Sequence, residues 1–183
     1  NASQLIEKGR ENLLLQSNQF DTTWATYDTS VTSGQSGYDG TNDAWLLAIT
    51  AATGFQTLRQ YVSNSGTQTF SIYAKAGALD WMRINTGVSS TYFDIANGAI
   101  GADSSIGATI ESAGNGYYRC SIPLSGSLTF IFIYPAFDNN NPNQTSGNIL
   151  IQDSQLEQGL VSTSVIETGA STAQAGILEN TPR

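Results

Sequence analysis

Gly114-Asn115-Gly116-Tyr117-Tyr118-Arg119-Cys120-Ser121-Ile122 reads as a tight turn followed by a half-buried strand. Asn-Gly supplies the positive φ angles of a hairpin. The alternation behind it sends Tyr118, Cys120 and Ile122 to one face and Tyr117, Arg119 and Ser121 to the other. Such a segment enters a sheet with one face against a core.

The same grammar extends outward in both directions. Glycine-bearing turn signals at Ser33-Gly34, Asp39-Gly40, Thr53-Gly54, Ser65-Gly66, Ala76-Gly77, Asn97-Gly98 and Ser125-Gly126, with a long polar loop from Asn139 to Gly147, recur at about the 8 to 12 residue spacing of a sandwich or barrel. The stretches between them, with Asn12 to Gln16 as a first strand, give about ten strands and no convincing helix. Gln68 to Lys75 alternates most clearly, with Phe70, Ile72 and Ala74 on one side and Thr69, Ser71, Tyr73 and Lys75 on the other. Leu128 to Tyr134 is apolar on both faces, which predicts cover on both sides of its sheet. Phe20 and Trp24 are placed to plug one end of the core.

A chain of 183 residues is long enough to bury a core without staples. Only 12% of residues are charged, while polar turn formers abound, as expected of short strands rather than amphipathic helices. Fifteen acidic against seven basic side chains give a net charge of -8, which disfavours nucleic acid as a partner. No apolar run reaches the ~20 residues of a membrane span, and no export signal is apparent. Cys120 is the single cysteine and its alternation predicts burial. With no histidine in the chain, imidazole-dependent nucleophilic catalysis and imidazole-built zinc sites are excluded. The start at Asn1 rather than Met predicts a piece of something longer. Residues 1–11 read as a linker or short helical turn, 12–169 as the β domain and 170–183 as a linker.

Several segments together resemble a module of bacteriophage tail-fibre, baseplate and other virion appendage proteins. They are Asn12 to Asn18 followed by Phe20 and Trp24; Tyr38-Asp39-Gly40-Thr41; Gly66 to Gly77; Tyr92-Phe93-Asp94; Gly114 to Ser121; and Gln155-Leu156-Glu157-Gln158-Gly159 with Thr163-Ser164 and Thr168-Gly169. Tyr117 stands where the module usually has Trp, and Val165-Ile166-Glu167 where Tyr-Ile-Pro is common. The resemblance implies an all-β, antiparallel jelly-roll β-sandwich shaped like galactose-binding and carbohydrate-binding modules. It also implies a virion or adhesin setting without naming a sugar; a phage particle surface and host recognition are the expected location and role.

Sugar recognition joins flat aromatic contacts to a few hydrogen-bonding groups. Tyr27, Tyr38, Trp45, Trp81, Tyr92 and Tyr134 are the candidate rings, and Arg59, Arg83, Asn85, Asp94 and Asn139 the candidate polar partners. The favoured site is Trp81, Arg83, Asn85, Tyr92, Asp94, Tyr134 and Asn139; packing within the sheet is the alternative for each ring. Calcium is a further expectation, with oxygen ligands from Asn18, Asp21, Asp39, Asp153 and Glu157, because first and last strands of such sandwiches lie side by side; a diffuse acidic surface is its alternative. The leading reading is a non-catalytic module binding host-surface glycan. A structural, oligomerisation or decoration unit with no sugar ligand is the second. A polysaccharide-degrading enzyme built on a carboxylate pair is the third, although no pair stands out.

Overall fold

The computed structural model describes residues 9–51, 54–142 and 145–175. The ends read as linkers thus fall largely outside the described residues, as do Thr53 of one turn signal and part of the 139–147 loop. Twelve strands are described: β1 Arg10–Asn12, β2 Ala25–Tyr27, β3 Thr29–Gln35, β4 Ala44–Ile49, β5 Thr57–Ala76, β6 Trp81–Asn85, β7 Ser90–Asp94, β8 Ala99–Ile100, β9 Thr109–Gly114, β10 Tyr117–Ala136, β11 Asn148–Gln158 and β12 Ala173–Ala175. No helix occurs among the described residues. All pairings are antiparallel, and the fold is a β-sandwich. Asn12 to Gln16 is not the strand expected: β1 ends at Asn12, and the chain beyond it turns irregularly toward Trp24.

Two 20-residue strands, β5 and β10, run through both layers and pair with each other along nearly their whole length. The first half of β10 and the second half of β5 join β9, β11, β4 and β3 in one sheet. The other halves join β2, β6, β7 and β8 in the second sheet. Ser65-Gly66 and Ser125-Gly126 are therefore not turns between strands. They are corners within them: Gly66 and Gly126 are direct cross-strand partners, with φ of 96° and 125°, and a bulge follows between Leu128 and Phe130. A side chain resists such angles, so glycine at both partners lets the paired strands change layer together.

The core fills between the layers. Phe70 and Ile72 of β5, Cys120 and Ile122 of β10, and Ile149, Ile151 and Leu156 of β11 face Ile131 and Ile133 of β10, Met82 and Ile84 of β6 and Phe93 of β7 in one cluster. Phe20 and Trp24 are buried at one end, with Phe20 edge-on to Trp24 at 5.3 Å and to Trp45 at 6.1 Å. At the β9–β10 hairpin Gly114, Asn115 and Gly116 all have positive φ, and Cys120 beyond it is fully buried. Burial pushes its thiol up, away from thiolate chemistry. Within the stretch read as a C-terminal linker, β12 pairs with β1 and ties the two ends together.

Candidate functional site

The two outer faces differ in how they are covered. On the first sheet, the segment around Tyr38 lies across the strands: Tyr38 stacks on Tyr73 at 3.8 Å, Tyr117 Oη donates to Ser36 O at 2.8 Å, and Asn115 Nδ2 donates to Gly37 O and Tyr38 O. A second segment covers the same face, where Glu157 accepts from Thr163 N–H and hydroxyl, Ile166 N–H donates to Gln155 Oε1, and Ser121 and Ser162 share a hydrogen bond. Arg119 is enclosed there, 5.4 Å over the Tyr73 ring and bonded to Ser71.

The second sheet carries its rings outward. Alternation puts Arg59 and Tyr61 of β5, Phe130, Phe132 and Tyr134 of β10, Trp81, Arg83 and Asn85 of β6, and Tyr92 and Asp94 of β7 on one face, with Arg59 opposite Phe132 and Arg83 between Tyr134 and Tyr92 in register. Rings and guanidinium groups alternate across the strands. Arg59 lies 5.2 Å from the Tyr27 ring and 5.7 Å from that of Phe132; Arg83 lies 5.2 Å from Tyr92 and 5.5 Å from Tyr134. Phe130 and Phe132 stand 4.2 Å apart, and Tyr61 meets Phe132 edge-on at 6.2 Å. Burial raises the Tyr92 and Tyr134 phenols while Arg83 opposes the rise, so both stay neutral hydroxyls.

The expected ligand residues are brought together on this face, but mostly beneath its surface. Tyr92 and Tyr134 are only 1% and 4% exposed. Asp94 spends its carboxylate on the turn that follows, accepting from Ala96 N–H and from the backbone and side chain of Asn97. Asn139 accepts from Ala102 N–H at 2.6 Å, closing the neighbouring loop, and Gly101 sits so near Trp81 that a Cβ there would come within 2.5 Å of the ring. Arg83 holds Asp103 at 3.3 Å and Ser90 at 3.0 Å. The open rings are Tyr61, 66% exposed, and Tyr27, 45% exposed, with half-buried Phe130 and Phe132 beside them. Sequence reasoning named Tyr27 and Arg59 among candidates but missed Tyr61, Phe130 and Phe132. The outward alternation of the LTFIFIY stretch held the signal for the two phenylalanines.

A separate shallow groove of about 790 Å³ lies at the corner of the sandwich, lined by Val88, Ile106, Leu124 and Leu160 with Thr67, Ser89, Ser105 and Asp103. It lacks aromatic rings. Its serines are engaged with one another, Ser89 Oγ with Ser105 Oγ at 2.9 Å and Ser105 Oγ with Ser90 O at 3.1 Å.

Of the five expected calcium ligands, Asn18, Asp39 and Asp153 gather at one end. Asn18 Oδ1 accepts from Asp153 N–H at 3.2 Å, and Gln152, next along β11, donates to Asp39 and Asp43. Asp153 breaks the β11 ladder with a φ of 46°; its Oδ2 accepts from Tyr38 Oη at 3.0 Å while Oδ1 is enclosed without a partner. Burial, with Asp43, Glu167 and Asp39 nearby, pushes its carboxyl up to about 6 against the pull of the Tyr38 bond. Asp21 is exposed and bonded to Thr22, and both Glu157 oxygens are engaged with Gln155 and Thr163. Among the described residues no three Asp, Glu or Cys side chains form a group able to hold a metal.

No family model and no curated protein matches the sequence. Solved structures with a related arrangement of strands include the CBM22-1 and GH10 modules of a Clostridium thermocellum endo-1,4-beta-D-xylanase complexed with xylohexaose, at a TM-score of 0.45 and 9% identity over 84% of this chain and 29% of that one. They also include the enzymatically active domain of tailspike protein 4 of bacteriophage CBA120, at a TM-score of 0.45 and 14% identity over 79% of this chain and 21% of that one. The chain spans less than a third of either protein.

Proposed function

We propose that this domain is a non-catalytic recognition module of a phage virion appendage that binds host-surface glycan on the outer face of its second sheet. The observation that carries the reading is the contrast between the faces: the first is covered by two chain segments, while the second leaves Tyr27, Tyr61, Phe130 and Phe132 as a shelf of rings beside Arg59. Flat apolar rings next to fixed hydrogen-bond donors suit a sugar, whose faces are apolar and whose edges are hydroxylated. A binding rather than hydrolytic role fits the carboxylates on this face, since Asp94 caps a turn and Asp103 neutralises Arg83. Titration with host envelope polysaccharide tests it. Saturable binding, weakened about tenfold or more by Tyr61→Ala without release of reducing ends, is expected. Release of reducing ends would return the enzyme reading.

A second reading has its own observation. Ile106 is 99% exposed, and Val88, Leu160 and Val161 are also bare, three of the four lining the corner groove. That patch suits contact between copies or with a neighbouring virion subunit. Sedimentation tests this separately: a closed oligomer dispersed by Ile106→Asp supports it, and a monomer at high concentration removes it. The two roles use different faces and are compatible.

A further inference from the structure

The open face holds a cation with no carboxylate partner among the described residues. The protein carries a net charge of -8 with only seven basic side chains, yet Arg59 and Arg83 both stand on this one face. Arg83 is neutralised by Asp103, the one ion pair among the described residues. Among the described residues Arg59 has no carboxylate within ion-pair distance. Its neighbours across the strands are Ala25 and Phe132, and its Nε is enclosed with no acceptor. Arg59 is thus packed among rings with its charge unpaired among the described residues.

The rings fix Arg59 in place. Tyr27 on β2 and Phe132 on β10 flank its guanidinium, which lowers the entropy lost when it grips a ligand, and the exposed Tyr61 ring stands two residues along the same strand. Both arginines act on the Tyr134 hydroxyl between them, drawing its pKa down against the effect of burial. At ordinary strand spacing and with a two-residue offset in register, the two arginines stand about 12 Å apart across β10, within the span of a short run of sugar units.

We infer that the ligand of this face is an acidic polysaccharide, its carboxylate received by Arg59 and its sugar ring by Tyr61. The inference rests on the glycan-binding reading and adds the charge class of the glycan. A guanidinium pairs with a carboxylate through two parallel hydrogen bonds, a geometry that neutral sugars cannot return. Arg119, on the covered face and bonded to Ser71, serves as the control arginine.

The test is affinity electrophoresis and calorimetry of the domain against polygalacturonate, alginate, hyaluronate and polysialic acid, with methyl-esterified polygalacturonate, xylan and dextran as uncharged counterparts. Retention by at least one acidic polymer is expected, falling with added salt, lost on esterification, reduced about tenfold or more by Arg59→Gln and unchanged by Arg119→Gln. Arg59→Lys keeps the charge but not the fork, and is expected to recover only part of the binding. Binding of an uncharged polymer that Arg59→Gln leaves intact overturns the inference while the glycan reading stands. Retention of no polymer by the native domain overturns both. Circular dichroism of each variant separates lost binding from lost fold.

Discussion

Asp153 shows how one residue's backbone can set its chemistry. It sits where β11 loses register, in a left-handed conformation that turns its carboxylate inward under Tyr38 rather than along the strand. Burial then favours the protonated form, raising the folded value to about 6 from the ordinary 3.8. A group with a raised folded pKa binds protons more tightly in the native state, so stability is gained as pH falls through about 6, is complete below 3.8 and is lost as pH rises again. The size is on the order of 3 kcal/mol for the full shift. Asp39 is shifted the other way, chiefly by its Thr41 hydroxyl bond; its contribution disappears only as pH falls below 3.8, outside that window. Thermal melts across this range are therefore expected to show a higher Tm near pH 5 than near pH 7. Asp153→Asn is expected to raise Tm at pH 7 and flatten that part of the profile. A Tm that climbs steadily from pH 5 to pH 7 in the native protein contradicts this account.

At the scale of elements, β5 and β10 decide the architecture, and their glycines were the hardest part of the sequence to read. Gly114-Asn115-Gly116 and Ser125-Gly126 both announce positive φ, yet the first reverses the chain and the second only bends it. Local sequence does not separate these outcomes, because the difference lies in whether a partner strand bends at the same register. Gly66 opposite Gly126 supplies that partner, sixty residues away. Space is not the constraint at Gly66, where an added Cβ would meet nothing closer than Gln158 Oε1 at 3.6 Å; backbone strain is. Gly66→Ala and Gly126→Ala are each expected to cost about 1–3 kcal/mol in urea unfolding, with the double variant departing from additivity because the two corners are in contact. Losses below about 0.5 kcal/mol in both would show that the corners tolerate side chains and that the bulge alone turns the strands.

The whole molecule follows from which faces the chain covers. Alternation in Gln68 to Lys75 and in Tyr117 to Ile122 made the core side of the first sheet legible, and the apolar LTFIFIY stretch signalled that something must shield its outer side. Among the described residues the rings of this stretch are covered from within their own sheet. Tyr134 is buried and Phe130 and Phe132 are half shielded by Arg59, Arg83, each other and the backbone at Gly87, where an added Cβ would lie 2.9 Å from Phe130. Period-two counting could place Trp81, Arg83, Tyr92 and Tyr134 on one face, but not show which would be sealed by neighbours. That depends on the long-range register that sets Tyr61 beside Phe130 and on the loop that folds Gly101 against Trp81. Recognition is proposed to belong to this second outer face. Its most direct test is nuclear magnetic resonance mapping of the isotope-labelled domain on addition of the tightest-binding polysaccharide. The account requires shifts concentrated at Tyr27, Arg59, Tyr61 and Phe132; shifts confined to the Val88, Ile106 and Leu160 groove, or to the covered face around Tyr38 and Arg119, contradict it.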